Sequence, residues 1–128
     1  MRMADRPLID TGLPEGYPFQ PDWELTPRQV RDLREAAATH VLLDVREPAE
    51  VAAAAVDGAV VVAMGEIKSR LSELEAYAED KLVVMCHHGA RSMQVTAFLR
   101  EAGFEDVSSM AGGIDLWSRD IDSAVARY

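Results

Sequence analysis

Three short apolar runs, VLLDV (41–45), AVVVA (59–63) and LVVM (82–85), recur along the chain with helical patterns between them. Each has the length of a strand. Each is almost continuously apolar rather than alternating, as in strands covered on both faces. A fourth stretch, DVSSM (106–110), reads as the last strand of the series, and WEL (23–25) as a short one before it. Thr26 is placed to cap a helix with Pro27 at its first position, and Val30, Leu33 and Ala37 fall on one face of that helix. Pro48 opens a short alanine-rich stretch. Ile67, Leu71, Leu74 and Ala78 form a second apolar stripe. Ser92 is read as the cap of a further helix with Val95, Phe98, Leu99 and Ala102 on its apolar face and Gly103 as its stop. An amphipathic tail containing Trp117 follows AGG (111–113). Strand–helix alternation of this kind predicts an α/β fold: a central, mainly parallel sheet with helices on both faces.

The 128 residues suffice for one core. Five of the six prolines lie at or before Pro27, which marks residues 1–22 as a proline-rich arm and 23–128 as the folded domain. The arm reads as a loosely attached tail; the alternative is that Tyr17, Phe19 and Trp23 dock on the body or on a partner. With 13 basic and 22 acidic residues the net charge is −9, which disfavours nucleic acid and anionic membrane surfaces as partners. No apolar run approaches the length of a membrane span. MRMADRPLID lacks the apolar core of a signal peptide, so the expected location is the cytoplasm. A single cysteine excludes an internal disulfide and fits a reducing compartment.

That cysteine sits in MCHHGARSM (85–93), directly after an apolar strand and just before a helix. Ligands of open α/β sheets bind beyond the carboxyl ends of the strands. A tight strand-to-helix loop turns successive backbone N–H groups inward, and Gly89 permits the angles such a loop needs. The helix N-terminus adds partial positive charge and Arg91 a full one. All three favour the thiolate of Cys86 over its thiol, and the same donors suit an anionic substrate or the outer sulfur of a persulfide. The competing reading of a lone cysteine is a small buried hydrophobe. The polar HHGARS that follows argues against burial in an apolar core.

Jointly, LLDVREPAE (42–50), DGAVVVAMGEI (57–67), KLVVMCHHGARS (81–92), FLREAGFEDV (98–107) and AGGIDLW (111–117) resemble the rhodanese-like sulfurtransferase family, in the family's order and over roughly residues 25–118. The resemblance implies the rhodanese fold and maps the catalytic nucleophile onto Cys86. It maps the substrate cradle onto His87, His88, Gly89, Ala90, Arg91 and Ser92, and Arg46 onto a position near the pocket mouth. Asp44, at the end of a buried strand, is read as a structural acceptor for loop amides. The implied reaction moves sulfane sulfur from thiosulfate or a persulfide donor to a thiol, a protein acceptor or cyanide, with no metal or organic cofactor. The family's usual glycine–histidine pair is replaced by alanine in VAAAAVDGA (51–59).

Three rival readings exist. Rhodanese-fold phosphatases carry a loop one residue longer than the four residues between Cys86 and Arg91, and Ser92 stands where their arginine would be. Zinc is disfavoured because Cys86, His87 and His88 are adjacent, whereas paired ligands are ordinarily separated by two or more residues. A non-enzymatic rhodanese-like module that binds a protein partner is the alternative from another class. Gly112 and Gly113 read most simply as turn residues, and Trp117 as packing.

Overall fold

A computed structural model describes all residues, 1–128. The five strands are β1 (Glu24–Leu25), β2 (Val41–Asp44), β3 (Val60–Val61), β4 (Lys81–Met85) and β5 (Asp106–Met110). The helices are α1 (Pro27–Glu35), α2 (Pro48–Ala53), α3 (Leu71–Leu74), α4 (Ala90–Glu101) and α5 (Gly113–Asp120). The sheet order is β1-β5-β4-β2-β3 and every pairing is parallel. α1 starts as its sequence predicts: Thr26 and Gln29 form a reciprocal capping box, and Pro27 needs no amide partner.

The side-chain period of two distributes each strand between two cores. Leu43, Leu82, Val84 and Val107 face one side with Leu74 of α3 and Val95 and Leu99 of α4. Leu42, Val83, Met85 and Met110 face the other with Val30 of α1 and Ile114 and Trp117 of α5. Helices therefore cover both faces, which is why residues 41–43 of β2 and 82–85 of β4 are apolar without a break.

Two expectations are corrected here. The arm is not a loose tail. Leu13 is buried in a third apolar cluster with Ala111 and Leu116, and Leu8, Tyr17 and Phe19 pack against it. Arg28 fastens it further by donating to the Asp10 carbonyl, and Tyr17 by donating to Glu24. Apolar and aromatic side chains between the prolines supply this anchoring, and composition alone hides it. Ser92 is not a helix cap: α4 begins at Ala90, with Gly89 as its cap at φ 112°. Ser92 is the third helical residue, and its hydroxyl turns back into the loop.

Candidate active site

β4 delivers Cys86 to the end of the central strand, and α4 starts four residues on, at Ala90. The loop backbone wraps the sulfur. Sγ accepts from the Gly89 amide at 3.1 Å and from the Ser92 amide at 3.3 Å. These are amides at the start of α4, where no intrahelical carbonyl is available. The sulfur thus takes the place that a capping side-chain oxygen fills in an ordinary helix. Such donors stabilise negative charge on sulfur, and the aligned peptide dipoles of α4 reinforce them. Gly89 is needed because its φ of 112° is strained for any residue with a side chain.

Cys86 is only 1 % exposed and packs in the same core as Val84 and Val95. The polar HHGARS suggested the opposite. The discrepancy is geometric: His88 and Ala90 lie on the outer, exposed side of the loop while the backbone closes around the thiol. Below Sγ lies a buried hydroxyl pair. The Cys86 thiol donates to Ser92 Oγ at 3.4 Å, and Ser92 Oγ lies 2.7 Å from Ser109 Oγ of β5.

The start of α5 clamps the loop from the other side. Ile114 N donates to the Cys86 carbonyl at 2.9 Å and Asp115 N to the His87 carbonyl at 3.2 Å. This approach leaves no room for a side chain at position 113. A Cβ on Gly113 would sit 2.5 Å from the Cys86 oxygen and press on the His87 carbonyl. Gly113 is therefore more than a turn residue, with φ 62° as a second reason for glycine.

Arg91 is engaged by Glu50 of α2 in a two-pronged ion pair at 2.6 and 2.9 Å. Glu50 also accepts from the Tyr128 hydroxyl at 2.7 Å. Arg91, with help from that hydroxyl, holds the Glu50 carboxyl well below the usual carboxylate range. The Tyr128 ring stacks on His87, with centroids 3.9 Å apart and planes 8° from parallel. Burial, aided by the neighbouring His88, lowers the His87 pKa, so the ring under Tyr128 is neutral near pH 7. His88 is exposed, with Nδ1 3.9 Å from the Asp115 carboxylate.

Arg46 lies inside the fold rather than at a pocket mouth. Its side chain has 0 % exposure and grips Asp44 through two bonds of 2.9 and 2.7 Å. It also donates to the Glu50 and Ala54 carbonyls and to Tyr128. Asp44 accepts in addition from the Arg46 amide. The pair therefore ties the end of β2 to Glu50 within α2 and to Ala54 just past its end, and so sets where Glu50 stands. Glu50, Tyr128, Ser109 and the role of Gly113 were missed by sequence reasoning. Only Ser109 carried a local signal: two serines in a buried strand oblige one of them to face inward.

The sequence model of the rhodanese-like domain matches residues 26–120. The thiosulfate sulfurtransferase GlpE of Pseudomonas fluorescens is 35 % identical over 103 residues, which cover 80 % of this chain and 91 % of that protein. The probable adenylyltransferase/sulfurtransferase MoeZ of Mycobacterium tuberculosis is 30 % identical over 104 residues, 81 % of this chain but 26 % of that protein. This chain thus spans about a quarter of that longer relative. The human single-domain sulfurtransferase TSTD1 superposes with a TM-score of 0.66 at 26 % identity, over 75 % of this chain and 95 % of that one. With its motifs in order, its parallel sheet and its cysteine loop at the end of the central strand, the chain belongs to the rhodanese-like domain family.

Proposed function

We propose that the protein is a sulfurtransferase that carries sulfane sulfur on Cys86. The observation that carries this reading is the pair of loop amides converging on Sγ at the start of α4. The sulfurtransferase names of its relatives support the reaction class.

In the first half-reaction the Cys86 thiolate attacks the outer sulfur of thiosulfate. A new S–S bond forms, and the old one breaks with its electron pair leaving on sulfite. The product is a Cys86 persulfide anion. Gly89 and Ser92 amides, already set at hydrogen-bond distance from Sγ, stabilise the attacking thiolate without reorganising, and the same thiolate when it is released in the second half-reaction. In the second half-reaction an acceptor thiolate or cyanide attacks the outer sulfur, and Cys86 leaves as the thiolate. Two covalent half-reactions through one nucleophile give ping-pong kinetics. A persulfide donor enters the same scheme with a thiol in place of sulfite.

His87, His88 and Ala90 form the outer side of the loop over which substrate must pass. Arg91 supports the loop from outside while paired to Glu50, so the backbone amides rather than a free guanidinium carry the anion. The partners are a small anionic sulfur donor and a thiol or protein acceptor. A reducing compartment such as the cytoplasm keeps the lone cysteine available. No helix is long and apolar enough to cross a membrane.

Thiocyanate production from thiosulfate and cyanide tests the reading. Wild type is expected to turn over with parallel double-reciprocal lines, and Cys86→Ser to fall to the uncatalysed rate. Turnover that survives in Cys86→Ser would sink the assignment.

A further inference from the structure

We propose that Ser109 of β5 is a positioning residue for Cys86. It holds the Ser92 hydroxyl so that this group serves the sulfur both as thiol and as thiolate. The inference rests on the reading of Cys86 as a thiolate nucleophile and names a residue outside the loop that prepares it.

Ser92 and Ser109 are both 0 % exposed, and no solvent reaches the hydroxyl pair. Ser109 Oγ has one partner, Ser92 Oγ at 2.7 Å. A buried hydroxyl hydrogen left without an acceptor is expensive. Ser92 Oγ–H already has the Gly89 carbonyl at 3.1 Å. Ser109 is therefore the donor in the pair and Ser92 the acceptor. In the thiol form Ser92 Oγ accepts from Ser109 and from the Cys86 S–H, and donates to Gly89. A hydroxyl has one donor and two acceptor sites, so its capacity is full.

Ionisation sends the thiol proton to solvent and empties one of those acceptor sites. The sulfur is now an acceptor only. The Ser92 O–H is 3.4 Å away and can rotate onto it. The Gly89 carbonyl that it leaves is not orphaned, because it keeps the α4 bond from the Met93 amide at 3.1 Å. Ser109 continues to donate to Ser92 Oγ throughout. That donation polarises the Ser92 O–H and makes it a stronger donor to the charged sulfur. The hydroxyl thus becomes a third donor beside the two amides, and appears only when the charge does. A persulfide likewise has no S–H at Sγ, so the same acceptor site of Ser92 is empty in it.

The test uses the single cysteine as its own reporter. Thiolate ultraviolet absorbance is titrated against pH in wild type, Ser109→Ala, Ser92→Ala and the double variant, with Cys86→Ser as the blank. Ser109→Ala is expected to move the midpoint to higher pH by about half a unit or more, a roughly threefold change in ionisation. Ser92→Ala is expected to move it further, and adding Ser109→Ala to Ser92→Ala to move it no more. Persulfide formation from thiosulfate should slow in the same order. A merely structural Ser109 would lower the melting temperature and leave the midpoint where it is. Superimposable titrations of wild type and Ser109→Ala, or a Ser109→Ala shift that persists in the Ser92→Ala background, would overturn the proposal. Because the titration needs no substrate, these outcomes are independent of whether thiosulfate is a donor. A failure of the sulfurtransferase reading would instead show as normal titrations with no persulfide.

Discussion

Arg46→Met lowers the unfolding free energy by about 3–5 kcal/mol, the loss expected when one partner of a buried ion pair is removed. The reason is the carboxylate left behind. Asp44 is 1 % exposed and takes both of its charge-assisted side-chain bonds from Arg46. Without the guanidinium it is a buried anion with one amide partner, the Arg46 N–H. The Glu50 and Ala54 carbonyls and the Tyr128 hydroxyl lose a donor at the same time. A protein of this size has about 5–15 kcal/mol to lose, so chemical denaturation should register the change as a large drop in midpoint at similar slope. Adding Asp44→Asn should recover part of the loss, because no uncompensated charge then remains. A loss under 1 kcal/mol for Arg46→Met would mean that Asp44 is far better solvated than its burial implies. The pair also has a functional reach. It fixes α2, α2 carries Glu50, and Glu50 holds Arg91 against the cysteine loop.

Gly113→Ala is expected to damage the site more than any other change outside the loop. The backbone at 113 is left-handed, φ 62°, which costs about 1–2 kcal/mol for a residue with a Cβ. The new methyl group then meets the Cys86 and His87 carbonyls, which are backbone and cannot rotate away. The loop or α5 must shift, and the bonds from Ile114 and Asp115 to those carbonyls are lost or lengthened. Displacement of a catalytic group by about 1 Å can cost about a hundredfold in rate, and a loss of that order in kcat/KM is predicted. Gly103 provides the comparison. It is also left-handed, φ 99°, but a Cβ there meets nothing within 4 Å. Gly103→Ala should carry only the backbone penalty in a denaturation curve and leave kcat/KM near wild type. Equal effects of the two substitutions would refute the close approach of α5 to the loop.

How far the sequence carries can be judged element by element. The core strands were legible because β2 and β4 are covered on both faces, and such strands are written as unbroken apolar runs. AVVVA (59–63) shrinks to a two-residue edge strand: only Val60 and Val61 pair in register with β2, and beyond them the Val62 and Met64 amides still donate to the Asp44 and Val45 carbonyls as the chain enters a 3-10 turn. The stripe Ile67–Ala78 does place Ile67 and Leu74 in the core. Its backbone, however, forms the short α3 between 3-10 turns, since apolar spacing reports which residues face inward and not whether a helix continues. The cysteine loop was legible because strand, cysteine, glycine and helix are contiguous. Its supports were not. Glu50, Gly113 and Tyr128 reach the loop only through the parallel topology, from α2, from α5 and from the far end of the chain, while the serine pair of β5 showed only that one of the two must face inward. Arg46, which the resemblance mapped near the pocket mouth, lies in the interior instead, and nothing local announces that Asp44 will accompany it there.

Intact-protein mass spectrometry after incubation with thiosulfate reads sulfur loading on Cys86 itself. Wild type should gain one sulfur atom that a reductant removes, and Cys86→Ser should gain none. A gain of equal size in Cys86→Ser, or none in wild type under conditions that load a known sulfurtransferase, would contradict Cys86 as the carrier of sulfur.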